Sequence, residues 1–175
     1  MGIPSAPEGY STINAFVFAK DARCLIEFTR SVFGAQESED ALTLEADGLI
    51  LHSEVAIGDS IVMIVDARPG WPDSPSFLRV YVDDAEQTLA RAEEEGARVV
   101  TRPTELFGDM LSRFVDPWGN MWWVYQHLGE VTWDDSGVDA TAWSGAESDP
   151  GLEYIHSTLT EAMSRLGQEQ RERVR

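Results

Sequence analysis

Two stretches of the chain are built on one plan. Residues 13–35 read INAFVFAKDARCLIEFTRSVFGA and residues 77–97 read FLRVYVDDAEQTLARAEEEGA. Each runs from an apolar, strand-like segment through an aspartate (Asp21, Asp84) into an amphipathic helix that stops at Gly-Ala (Gly34, Gly96). Asp before Ala is an N-cap signal, and Gly after the last periodic residue is a C-cap signal. The Asp-to-Gly spacing is 13 residues in the first copy and 12 in the second. Leu25, Phe28 and Val32 share one face of the first helix, and Ala85, Leu89 and Ala92 share one face of the second. Cys24 is read as a helix residue packed near the core.

Strands follow each helix. LILHSEVA and SIVMIVDA flank Gly58-Asp59, a compact hairpin signal. MLSRFV and NMWWVYQHL flank Asp116-Pro117-Trp118-Gly119, which has turn chemistry. The joint ARPGWPDSPS, residues 67–76, carries three prolines and reads as a linker. The expected fold is therefore α+β, with two βαβββ modules at about 13–66 and 77–127 in one domain spanning 1–127. Residues 128–175 form an extension. Its first part, 128–153, has seven acidic residues and no basic ones. From Asp149-Pro150 a helix is predicted, with an apolar stripe of Leu152, Ile155, Leu159, Met163 and Leu166. That stripe needs a partner, either on its own domain or on a second subunit.

Charge narrows the function classes. Thirteen basic residues against 31 acidic ones give a net charge of −18. Such a surface repels phosphate backbones, so neither nucleic acid nor an anionic membrane is an expected partner. No apolar run reaches the ~20 residues of a bilayer span, and no secretory leader is read at the start. Cys24 is the sole cysteine, which forbids an internal disulfide and points to the cytoplasm. Lys20 is the sole lysine, which removes a Walker A lysine. There is no glycine fingerprint opening a helix after a strand, no G-x-S-x-G elbow and no paired CxxC.

The duplicated βαβββ plan and the DPWGN turn before a final aromatic strand resemble the vicinal-oxygen-chelate superfamily. That group includes glyoxalase I, extradiol dioxygenases, fosfomycin-resistance enzymes and bleomycin-resistance proteins. The resemblance covers about residues 10–127. It implies a curved mixed sheet around a cavity, with homodimers common. In the family's enzymes a divalent metal sits there, held by His, Gln or Glu from the first and last strands of each half. Carried across, those positions are Asn14, Met63, Phe77 and Trp123. Asn is a weak ligand, Met a soft one, and Phe and Trp are no ligands. No metal and no other cofactor is expected.

Period-two alternation gives the rest of the cavity wall. Phe77 brings Arg79 and Tyr81; Trp123 brings Met121 and Tyr125; Asn14 brings Phe16 and Phe18. The hairpin sets Glu54 opposite Met63 and His52 opposite Val65, so His52 and Glu54 join the wall. Leu51, Val55, Val62 and Ile64 should pack under the helices. Ligand-binding candidates are thus Asn14, Phe16, His52, Glu54, Met63, Phe77, Arg79, Tyr81, Trp123 and Tyr125. Aromatic walls with sparse polar groups suit a small-molecule pocket, although the same rings would also serve as core filling. His52 and Glu54 admit three readings: a structural pair, with Glu54 bonded to Arg79; a general acid and base; or ligands of a displaced metal site. Arg113 lies on the strand before the turn, and a bulge there would alter its face.

Two functions follow as expectations. One is a metal-free, small-molecule-binding homodimer that sequesters an aromatic or hydrophobic compound, an antibiotic-like cation being one option. Arg79 argues for an anion instead. The other is a glyoxalase-like enzyme that uses His52 and Glu54 for proton transfer or an atypical metal site.

Overall fold

The computed structural model describes residues 5–7, 9–129 and 149–173. In the first half, β1 (Ala15–Ala19) leads through α1 (Ala22–Phe33) to β2 (Gln36–Glu37) and a short 3-10 helix at Glu39–Ala41. Strands β3 (Thr43–Leu44), β4 (Ile50–His52), β5 (Glu54–Ile57) and β6 (Ser60–Asp66) follow. The second half comprises β7 (Phe77–Tyr81), α2 (Ala85–Glu94), β8 (Arg98–Leu106), β9 (Asp109–Val115) and β10 (Met121–His127). A C-terminal helix, α3, spans Pro150–Arg173. No described helix is long and apolar enough to cross a membrane.

The repeat seen in the residues returns as topology. The eight main strands form two separate four-stranded mixed sheets, ordered β1-β6-β5-β2 and β7-β10-β9-β8. In each, the first strand lies parallel to the last and the remaining pairs are antiparallel. The helices begin where expected: the Asp21 carboxylate accepts from the Cys24 N–H and the Asp84 carboxylate from the Gln87 N–H. Gly34, at φ 70°, ends α1 in the left-handed conformation that glycine adopts without steric cost.

One core joins the helix-facing sides of both sheets. It includes Leu25, Phe28 and Val32 of α1, Leu89 and Ala92 of α2, Val62 and Ile64 of β6, and Trp122 and Val124 of β10. Phe33 of α1 lies 4.8 Å from the Trp122 ring, so the two halves are not independent. Cys24 departs from expectation, because it is exposed on α1. Core positions are taken by Ala22, Leu25, Ile26 and Thr29, and Cys24 falls outside that arc.

The DPWGN turn is closed by a buried carboxylate. Asp116 accepts from the Trp118 and Asn120 backbone N–H groups, the Asn120 side-chain amide and the Trp122 indole, all at 2.9–3.0 Å. Burial raises its pKa above the ordinary value, against the pull of those four donors.

The terminal helix finds its partner on its own chain. α3 packs along β8, and Ala162 and Leu166 share a small core with Val115 and Met121, flanked by Val100, Trp123 and Leu159. The buried stripe differs from the expected one: Ala162 is 4% exposed, whereas Met163 is 44% and Leu152 41% exposed. Positions 155, 159, 162 and 166 share the arc that faces the sheet, whereas 163 is turned about 100° from 162 toward the arc's edge, and a small side chain at 162 lets the helix approach the sheet. Most of the acidic segment, 130–148, lies outside the described residues.

Candidate functional site

Each four-stranded sheet has one face turned from α1 and α2, partly covered by α3 on the second sheet, and most of the expected wall residues lie on those two faces. On the second sheet the register Arg79–Trp123–Arg113 runs across β7, β10 and β9 in one row, with Tyr81–Tyr125–Leu111 as the next. The Phe77 and Trp123 rings are 5.9 Å apart, and those of Tyr81 and Tyr125 5.5 Å. The Arg79 guanidinium lies 4.1 Å from the centroid of Tyr125 and 4.8 Å from that of Tyr81, whose hydroxyl accepts a hydrogen bond from it. This is a contiguous cluster of five residues, Phe77 and Trp123 taken from the family resemblance and Arg79, Tyr81 and Tyr125 added by alternation.

Arg113 belongs to the same face. The β9–β10 ladder is regular, and the irregular register falls between β8 and β9 instead. Its guanidinium sits 5.4 Å from the Trp123 ring, and Nη1 donates to the Thr101 hydroxyl and the Ile155 carbonyl of α3. Its Nε is buried without a hydrogen-bond partner among the described residues. Burial draws its pKa below the ordinary arginine value. Met121, expected to face a cavity, is covered by α3. The sequence showed an unpartnered apolar stripe on α3 but not which surface would receive it.

On the first sheet, Glu54 pairs with Met63 as expected, and Phe16 pairs with Met63 from the other side. His52 lies on a separate strand, paired with Thr43, because the chain breaks at Ser53, whose hydroxyl donates to the Ile64 carbonyl. That break also leaves Leu51 exposed rather than packed under a helix. His52 Nε2 is 3.1 Å from a Glu54 oxygen, and the Tyr10 hydroxyl lies close enough to the same carboxylate to influence its titration. The expected Glu54–Arg79 pair does not form, because each side chain is engaged on its own sheet. Tyr10 and Trp71, whose ring meets Phe18 edge-on at 5.4 Å, were not foreseen. Both lie in segments without periodicity, where alternation gives no signal.

The Tyr10 hydroxyl and the His52 hydrogen bond hold the Glu54 carboxyl below the usual carboxylate range, against the upward push of burial. A lowered folded-state pKa means the cluster's stabilisation is complete above about pH 4.3 and is lost as pH falls through the folded value. Tyr10→Phe should move the Glu54 titration upward, read by carboxyl carbon NMR. An unshifted titration would show that Tyr10 does not act on the carboxylate.

Asn14 is committed locally: its amide donates to the Ser11 carbonyl and its oxygen accepts from the Ser11 N–H. It also borders a cleft of about 430 Å³ between β1, the hairpin at 57–62 and β7, which Arg79 and Tyr81 line too. The four positions at which the family's metalloenzymes hold their ion thus bear a locally bonded amide, a thioether and two aromatic rings. That set does not fit a divalent cation. Among the described residues, no three His, Cys, Asp or Glu side chains converge as a metal site would require.

A pair of βαβββ modules with first and last strands parallel, and aromatic faces turned from α1 and α2, defines a class before any comparison. Residues 12–124 match the Glyoxalase/Bleomycin resistance protein/Dioxygenase superfamily, and the chain belongs to it. An uncharacterized protein of Mycobacterium tuberculosis is 30% identical over 127 residues, 66% of this chain and 74% of that protein. The crystal structure of protein PA1353 from Pseudomonas aeruginosa superposes with a TM-score of 0.56 at 18% identity, covering 67% of this chain and 98% of that one. A glyoxalase/bleomycin resistance protein/dioxygenase family enzyme from Burkholderia phytofirmans gives 0.52 at 19% identity, covering 70% and 100%. At these identities the two structures speak to the fold alone.

Proposed function

We propose that this chain is a metal-free, small-molecule-binding member of the family, holding an aromatic or hydrophobic compound on the part of its second sheet's outer face that α3 leaves open. The observation that carries the reading is the exposure of large rings on that face: Phe77 is 51% and Tyr81 56% exposed. Aromatic surface of this extent calls for an occupant. A second copy of the chain is the natural cover for the first sheet, where Phe16, Phe18 and Trp71 adjoin. The lone, exposed cysteine suits a cytoplasmic setting.

The neutral dye N-phenyl-1-naphthylamine tests this. It should bind the full chain with enhanced emission, and sedimentation should give twice the chain mass. Phe77→Ala, at an exposed position, should weaken dye binding on the order of tenfold while leaving the fold intact. A monomer at every concentration that takes up no dye would reject the proposal.

The acid–base alternative rests on the Tyr10–Glu54–His52 cluster. A general base works best with a pKa near the working pH. Glu54 is instead held low, which makes it a weaker base. The cluster's hydrogen bonds therefore support a structural pair more than a proton-transfer dyad.

A further inference from the structure

We infer that the occupant of the second sheet's face is an aromatic carboxylate, with Arg79 as its anion anchor; this rests on the ligand-binding reading above. The first ground is charge pairing. Lys20, Arg23, Arg30, Arg68, Arg102 and Arg165 each contact a carboxylate. Arg79 and Arg113 flank Trp123 in one row and bond no carboxylate among the described residues. Arg91, Arg98 and Arg171 likewise make no ion pair among the described residues; what sets Arg79 and Arg113 apart is that they share one row with Trp123, two positive groups on one face of a chain with 31 acidic residues.

The second ground is that the face is already unsuited to a cation. A bound cation would need a carboxylate or an open ring face. The Tyr81 and Tyr125 rings are taken by the Arg79 guanidinium, and Trp123 lies against that of Arg113. An incoming ammonium would meet like charge.

The third ground is preorganisation. Stacking on two tyrosines and a hydrogen bond to the Tyr81 hydroxyl hold Arg79 in one orientation, which lowers the ordering cost of binding. Guanidinium has five N–H donors in a planar fork matched to carboxylate. One of them serves Tyr81, whose own proton remains to be donated to a ligand oxygen. Phe77 and Trp123, tilted by 59°, offer the adjoining aromatic wall for the ligand's ring. The overall charge of −18 works against an anion at long range, but the Debye length at physiological salt is about 8 Å. A contact at hydrogen-bond distance is screened far less.

The experiment uses three probes with one ring system, measured by equilibrium dialysis against the full chain in physiological salt. They are 1-naphthoate, 1-naphthalenemethanol and 1-naphthylmethylamine. The naphthoate should bind at least about tenfold more tightly than the alcohol, with the amine weakest. Arg79→Gln, at an exposed position, should lower naphthoate affinity to the level of the alcohol and leave the alcohol within about twofold. Arg79→Lys should recover part of the preference. Equal binding of acid and alcohol, tightest binding of the amine, or an undiminished preference in Arg79→Gln would each overturn the inference while the ligand-binding reading stands. Failure of all three probes to bind would instead remove the ligand site itself.

Discussion

Asp116→Ala is expected to cost about 4 kcal/mol of stability, the largest effect of any single substitution discussed for this chain. The carboxylate accepts from four donors at 2.9–3.0 Å, two from the backbone and two from the Asn120 and Trp122 side chains. Alanine removes the acceptor from all four, three of them buried and the Trp118 N–H half-buried. Each orphaned donor carries about 1–3 kcal/mol of desolvation, and partial relaxation keeps the total below their sum. Asp116→Asn keeps one acceptor oxygen but turns an amide toward donors on the other side, so about half the loss should remain. Urea unfolding midpoints of the three proteins measure both values. An Asp116→Ala protein within 1 kcal/mol of the parent would show that the turn is held by backbone geometry alone.

Truncation after Gly129 should be nearly as costly. It removes Ile155, Ala162 and Leu166, all buried, and Leu159 beside them. Burial of an Ile or Leu side chain contributes about 1.5–3 kcal/mol, and the ordering entropy of the helix offsets much of the sum. A net loss of about 3 kcal/mol corresponds to a melting temperature lower by about 10 °C in a domain of this size. Val115 and Met121 would be uncovered, and Arg113 would lose the Ile155 carbonyl. Anilinonaphthalene sulfonate fluorescence should therefore rise in the truncated protein. Unchanged melting and no dye uptake would mean that the helix does not rest on this sheet in solution.

The site was legible where strand alternation is regular. Phe77, Arg79, Tyr81, Trp123 and Tyr125 fall on one face because β7 and β10 run unbroken beside each other. Glu54 opposite Met63 follows from the two-residue hairpin at Gly58-Asp59. Legibility ended at Ser53. There a side-chain bond to Ile64 interrupts the strand, and both His52 and Leu51 leave the places that period-two counting assigns them. Tyr10 and Trp71 were missed for a related reason, since irregular segments carry no period from which a direction can be read.

Local signals in the residues determined the duplicated modules, their caps, the turn at 116–119 and the side-chain set at the family's metal positions. Those features depend on neighbours a few positions apart, and such neighbours are visible in a linear chain. Tertiary structure alone decided that α3 folds back over the second sheet, and that Ala162 rather than Met163 faces it. It also decided that Glu54 bonds His52, beside Tyr10, instead of Arg79. These choices join residues tens of positions apart, and the deciding quantity is which buried surfaces fit closest, something periodicity does not encode.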